Sequence, residues 1–311
     1  MGEIISKVIP IILLISLGYL VQVKGILKQS TIDEMKKVVI NISLPAILFM
    51  TFLGMELKKE YFLIIITTFI MLGVFCLVGG SLNRIKSIAH PLNPFIASGF
   101  AFGLLGIPLY STVFGAENLG KISILGVGHE AFMWFVYFTA LKIRFKNARF
   151  SIDDIKGFLK SPIILSIVLG IALNILGFEV WFQERALLKG IYETLKYLAN
   201  LATPLILIII GFGFKFNKEY MKQSFRFLMI RMGVILAVGY TFKYMVIDKI
   251  ITPEPLFNYA YFTLLILPPA FSLPIFVGEY STSEHKEIAN NTVVLNTLVS
   301  IIIYILFIFL K

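Results

Sequence analysis

Groups that do chemistry in water are scarce in this sequence. Of its 311 residues 15% are charged, three are histidine and one is cysteine. The lone Cys76 excludes an intramolecular disulfide. Three histidines, one cysteine and a single deeply placed carboxylate form no nucleophile–base pair and no metal-ligand set, so the chain reads as a non-enzyme with no cofactor and no metal. The pair His129-Glu130 is not the start of a zinc-protease helix, because the second histidine of that motif would fall on Met133. The Gly-x-x-x-x-Gly-Lys-Ser/Thr loop is absent, which argues against a pump driven by ATP. Acids are outnumbered by bases, 18 to 28, for a net charge of +10. The bases are scattered through short connections without interleaved polar readers, so nucleic acid is not a partner. The longest polar stretch, about 142–160, is too short to bury a core, which excludes a soluble domain; its Ser151-Ile-Asp-Asp start suits the cap of a short surface helix.

Apolar residues fill the rest: 58% of the chain is hydrophobic, 29 residues are phenylalanine and mean hydropathy is +0.88. About 20 apolar residues cross a bilayer as a helix, and ten runs approach that length, near 4–23, 33–54, 61–81, 94–115, 120–142, 161–178, 190–214, 224–247, 256–278 and 287–310. The first follows Met-Gly-Glu with no basic n-region and no small-residue cleavage site, so it reads as a span, not a signal peptide. With the N-terminus outside, 17 basic residues fall on or near the cytoplasmic face and ten outside. The positive-inside tendency then places both termini outside the cytoplasmic membrane and the connection between spans 5 and 6 inside. The mixed segment Phe178 to Lys189, with Trp181, suits the outer interface. Arg231 and Lys243 fall near opposite ends of span 8, where long basic side chains snorkel to headgroups.

The chain also repeats itself. Lys37 to Tyr61 aligns without gaps on Lys196 to Tyr220 after a shift of 159 residues, with nine of 25 positions identical, among them Asn41/Asn200 and Pro45/Pro204. Both copies hold a membrane segment and five spans separate equivalent points. The second copy must therefore enter the bilayer from the opposite face, which is the inverted repeat found in many secondary transporters. The expected architecture is an all-α polytopic membrane protein of ten transmembrane helices, with a first five-helix repeat at 1–142, a cytoplasmic linker at 143–160 and a second repeat at 161–311.

Helix breakers mark two of these spans. Gly99, Gly103, Gly106 and Pro108 fall within ten residues of span 4, and Pro268, Pro269 and Pro274 within seven of span 9. Proline lacks an amide donor and clashes with the preceding turn, so both spans are expected to break at depth, where open backbone must be buried in protein or line a wet cavity. A shift of 166 carries Pro108 onto Pro274, so the breaks correspond. Close glycine packing in span 4 and plain kinks in span 9 would produce the same pattern. Broken helices offer half-helix N-termini with partial positive charge, which favours an anionic ligand.

The runs LPAILF (44–49), GIPLYSTVFG (106–115), ILPPAFSLPIFVGEY (266–280) and VVLNTLVS (293–300) resemble the membrane-transport domain of the auxin efflux carrier family, which includes plant PIN carriers and bacterial organic-acid carriers. The resemblance runs from about Val8 to Phe309. It implies two inverted five-helix repeats whose spans 4 and 9 cross at Pro108 and Pro274, with the substrate anion beside the crossing. It also implies an elevator-like cycle in which spans 3–5 and 8–10 move against a scaffold of spans 1, 2, 6 and 7 that holds Pro45 and Pro204. Two positions depart from the pattern: many relatives have Asn where this chain has Ala101, and PIN-like sequences have Gln where Glu130 stands, four residues before Trp134.

Glu130 is the only acid placed deep in a span, a costly position that usually faces a cavity, a partner or an ion path. It is a candidate to carry a coupling proton or to pair with a cation that accompanies the substrate; a protonated carboxyl bonded between helices is the structural alternative. His129 reads first as a packing histidine and second as a relay, since successive helical positions diverge. Candidate substrate or crossover residues are Ala101, Gly103, Gly106, Pro108, Ser111, Pro269, Ser272, Pro274, Asn290 and Asn296, with Asn291, Thr297 and Ser300 as further polar groups that bind substrate or bridge helices. The functional expectation is a secondary carrier of a small organic anion, such as a monocarboxylate, a dicarboxylate or an auxin-like acid. A membrane sensor that binds without transporting is the alternative. The expected partners are the bilayer, the substrate anion, a coupling proton or cation, and a second copy in a homodimer.

Overall fold

A computed structural model describes residues 2–146, 156–157, 159–215 and 217–310. Among them there are helices, turns and loops and no strand, as a bilayer demands of a chain whose backbone must bond to itself. Seven helices are long and apolar enough to cross a membrane: Gln29–Gly54, Lys59–Arg84, Asn93–Phe114, Ala116–Lys146, Ala186–Phe212, Lys218–Ile250 and Ser283–Leu310. Three shorter apolar helices accompany them, Val8–Val23, Pro162–Ile175 and Pro255–Ile266. Phe62, Leu77, Leu165 and Ile302 point outward, as apolar side chains do when the surroundings are lipid. The anticipated cap at Ser151 lies outside the described residues.

The chain forms two compact units and passes between them several times. The first comprises Met1–Leu57, Gly103–Ser123 and Lys156–Phe214. Within it the helix Gly2–Val23 packs along Ala202–Phe212, and Leu44–Gly54 along Pro162–Ile175. Phe49, Leu53 and Phe182 form an apolar cluster there, so part of the mixed 178–189 segment is buried, while Trp181 stays exposed with the Arg185 guanidinium 4.1 Å from its ring centre. The Asn174 amide donates to the carbonyls of Phe52, Leu53 and Met55 at 2.7–3.1 Å and so finishes a helix end that has no amides of its own to offer.

The matched prolines act alike in this unit. Pro45 is the second residue of Leu44–Gly54, entered through a widened turn at Val39–Ser43, and Pro204 is the third residue of Ala202–Phe212, entered across the break at Leu201. A helical proline cannot bond the carbonyl four residues back, which is that of Asn41 in one copy and Asn200 in the other. The paired asparagines thus sit where the paired prolines free a carbonyl, and the Asn41 amide bonds back to Lys37 O at 2.9 Å.

The second unit comprises Lys58–Phe102, Ile124–Ile155 and Lys215–Lys311. Met221–Phe242 packs on Ser283–Leu310 and on Lys59–Ser81, which also holds Asn93–Ser98. The core is aromatic: Phe75, Phe95, Phe100, Tyr137 and Tyr261 are fully buried, and the Tyr261 hydroxyl donates to Gly239 O at 2.5 Å.

Candidate functional site

Both segments rich in breakers are interrupted, and prolines stand at the start of three of the pieces, while Pro108 follows the widened turn Phe102–Gly106 with which helix resumes. Asn93–Ser98 has Pro94 at its second position, Ile107–Phe114 has Pro108, Pro255–Ile266 starts on Pro255, and Leu273–Tyr280 has Pro274 second. A missing amide is harmless at a helix start, since that amide has no partner within the helix. The interruptions themselves lie earlier, at 99–101 in one segment and 267–272 in the other.

The two interruptions leave opposite kinds of group exposed. Gly99-Phe100-Ala101 contains no proline, and its freed groups include amide donors. In the other, Pro268 and Pro269 have no amide to free, so carbonyl acceptors predominate. The segments join where these match: the Ala101 amide donates to Pro268 O at 3.0 Å. The Phe100 amide donates to His129 Nε2 at 3.3 Å. The surplus carbonyls take donors from elsewhere: Ser300 Oγ donates to Ile266 O at 2.5 Å, and the Arg231 guanidinium donates to Leu267 O at 2.9 Å through Nη2 and to Ile96 O through Nη1.

Close packing fixes the junction. Gly99 lies under the Tyr137 ring, where a Cβ would come within 2.6 Å of a ring carbon, and Tyr137 Oη donates to Phe95 O at 3.2 Å. Gly126 faces the Phe102 ring so closely that a side chain there would overlap it. This brings the helix Leu119–Phe132 near enough for His129, one turn on, to reach the interruption.

His129 is 2% exposed. Because Nε2 accepts an amide, the proton of the neutral ring is on Nδ1, which lies 3.3 Å from Glu130 Oε1, within ion-pair range though off the hydrogen-bond direction. The side chains therefore meet despite diverging helical positions. The Glu130 side chain is 16% exposed, more open than the histidine beside it.

The remaining candidates divide between the units. Gly103, Gly106, Pro108 and Ser111 belong to the first unit, with Asn41, Pro45, Asn200 and Pro204; Ala101, His129, Glu130, Pro269, Ser272, Pro274, Asn290 and Asn296 belong to the second. Pro108 and Pro274 thus fall in different units, and the bond that joins the interrupted segments runs through Ala101 and Pro268. Ser111 Oγ donates to Pro108 O at 3.2 Å, and Asn296 Nδ2 to Thr292 O at 2.8 Å, both within their own helices. Asn291 bridges outward, accepting the Asn217 amide and donating to Ser224 Oγ. Ser272 precedes Leu273–Tyr280, Asn290 is half-buried and Pro269 is buried.

Two basic residues differ from the sequence expectation. Arg231 does not snorkel: the helix begins at Met221, earlier than the apolar run implies, so Arg231 sits ten residues in and is 1% exposed. Lys243 is also buried and pairs with Asp248 at 2.6 Å. An ionisable group inside a span was the available signal for Arg231; the misplaced helix start hid it. Outside the spans, His90 packs against Phe227 and His285 and accepts the Leu92 amide at Nδ1. Burial first, then the charges of His285 and Arg226, push its pKa down to about 4.

Comparison with known proteins agrees with this architecture. The profile of a family described as membrane transport protein matches residues 3–156. An "uncharacterized transporter" of Methanothermobacter thermautotrophicus is 25% identical over 226 residues, 68% of each chain. A second protein of that description, from Methanocaldococcus jannaschii, is 26% identical over 212 residues, 66% of this chain and 67% of its own. With its apolar helices and its two interrupted segments, this chain is an integral membrane protein, and over residues 3–156 it matches the membrane transport protein family, the auxin efflux carrier-like family that its motifs resemble.

Proposed function

We propose that this protein is a secondary carrier that moves a small organic anion across the cytoplasmic membrane by alternating access. The observation that carries this reading is the bond between two interrupted membrane segments, Ala101 N to Pro268 O, closed in by His129, Arg231 and Ser300. Interrupted, mutually bonded helices serve secondary transporters as substrate sites, since their ends concentrate partial charge at membrane depth. The N-terminus of Leu273–Tyr280, introduced by Ser272, favours a carboxylate. Asn290 and Asn296 supply further polar contacts in this reading.

The ten apolar segments then serve as ten crossings in two inverted repeats of five. The division into compact units supports an elevator-like cycle. The first unit holds the segments assigned to the scaffold, together with Gly103–Ser123, and the second holds most of those assigned to transport. Glu130 takes the coupling proton, because it is ionisable, partly open and in contact with the histidine that closes the junction. A homodimer through the apolar outer face of the first unit belongs to the same reading.

The test is uptake of labelled malate, with indole-3-acetate in parallel, into proteoliposomes under an imposed pH gradient. Wild type is expected to accumulate at least one acid, and Glu130→Gln to transport without responding to the gradient. Unchanged pH dependence in Glu130→Gln refutes the coupling role. Binding of either acid without uptake refutes the carrier and favours a sensor.

A further inference from the structure

Arg231 stands out as a buried cation with no carboxylate partner among the described residues. Its guanidinium lies 4.4 Å from the centre of the Phe100 ring, and its two terminal nitrogens donate to Ile96 O and Leu267 O. Ile96 lies in the last turn of the half-helix Asn93–Ser98, and Leu267 is the residue that caps the C-terminal end of the half-helix Pro255–Ile266. The amide four residues beyond Ile96 is that of Phe100, which bonds His129 instead. Two helix C-termini, each carrying partial negative charge, therefore converge on one positive group. Pro268 and Pro269 deepen the imbalance by removing two donors from the same place.

Unwound carbonyls and half-helix C-termini are the groups with which other transporters of broken-helix design bind a free sodium ion or proton. Here a covalently attached cation already lies among them. We infer that Arg231 is a tethered counter-ion of the junction: it supplies the charge that a bound metal cation would otherwise supply, so the interrupted helices hold together without sodium or potassium. Arg231 is a positioning residue. A guanidinium suits the task because it offers five donors, no acceptor and a planar fork that spans two carbonyls, with an aromatic face to stack on. For transport, the inference rests on the carrier reading and implies that no metal cation is coupled at this position. Its structural core does not depend on the substrate.

The test compares full-length wild type with Arg231→Lys, Arg231→Met and Arg231→Ala in detergent, in choline chloride and after exchange to sodium, potassium or low millimolar guanidinium chloride. Melting temperatures are expected in the order wild type, Lys, Met, with Met lower than wild type by about 5 °C or more. Wild type is expected to be indifferent to the salt. Arg231→Ala, which leaves room for an ion, is expected to recover stability in guanidinium and not in choline. Arg231→Met as stable as Arg231→Lys would mean that side-chain volume, not charge, is what the junction needs, and overturns the inference. An absence of selective response to guanidinium in Arg231→Ala overturns it as well. Should Arg231→Ala fail to fold, the order of Lys and Met decides alone. Binding of either acid without uptake refutes the carrier and leaves this order untouched; a failed order refutes the tethered ion even where uptake is normal.

Discussion

In the 93–114 segment the first half-helix has six residues, the chain is open for Gly99, Phe100 and Ala101, and helix then resumes through a widened turn at Phe102–Gly106. In the 255–280 segment the first half-helix has twelve residues and the interruption runs through two adjacent prolines to Ser272. The difference is chemical as well as geometric. Proline deletes donors, so the second interruption is rich in carbonyls, while the first keeps the amides that glycine, phenylalanine and alanine provide. Two interruptions that correspond in sequence thus need not share their hydrogen bonding: here one segment donates, the other accepts, and side chains from two further helices supply the donors still lacking. A buried arginine follows from this imbalance, because it is the side chain with most donors and no acceptor.

Substitutions that touch one interruption, or the bond between them, sharpen the contrast. Ala101→Pro removes the joining amide and adds a ring at a buried position, and is expected to have the largest effect, about 3 kcal/mol or more in unfolding assays in detergent. Hydrogen–deuterium exchange should rise in peptides from both segments. His129→Leu leaves the Phe100 amide unmet in an apolar setting, an expected loss of about 1–3 kcal/mol, with faster exchange confined to peptides around 96–106. Ser300→Ala withdraws one neutral donor from Ile266 O, an expected loss of about 1 kcal/mol, with faster exchange confined to peptides around 262–273. Equal spreading of either effect into the other segment would show the two interruptions to be one cooperative unit.

Much of this was legible in the sequence where composition acts locally. Proline and glycine clusters located both interruptions within a few residues, and the 159-residue shift paired Pro45 with Pro204 before their common effect on Asn41 and Asn200 was visible. The junction was not legible in the same way. Pro108 and Pro274 are the conspicuous breakers, yet the joining bond uses Ala101 and Pro268, because proline starts a helix comfortably and the open backbone lies upstream of it. Ala101 contributes through its amide, which every residue but proline possesses, so a side-chain pattern cannot reveal it. Arg231 lies deeper than the apolar pattern implies, because hydropathy sets a helix start at the first apolar run, whereas Met221–Phe242 begins on a turn that includes Lys222 and Gln223. His129 packs by accepting the amide that the interruption frees, a role that a backbone donor 29 residues away in sequence leaves without a local pattern.

The prolines that open the half-helices also bear on how the protein is made. Pro255–Ile266 rises about 18 Å, well short of the ~30 Å of a bilayer's hydrocarbon. Such a piece cannot hold itself across a membrane with bare carbonyls at its end, so it must enter lipid together with the helices that supply their donors. Arg231, on the preceding helix Met221–Phe242, and Ser300, on the following helix Ser283–Leu310, flank it in sequence as they do in space. Insertion of the last third of the chain is thereby a joint event, in which a helix bearing a charge and a helix too short to cross become stable by the same contact.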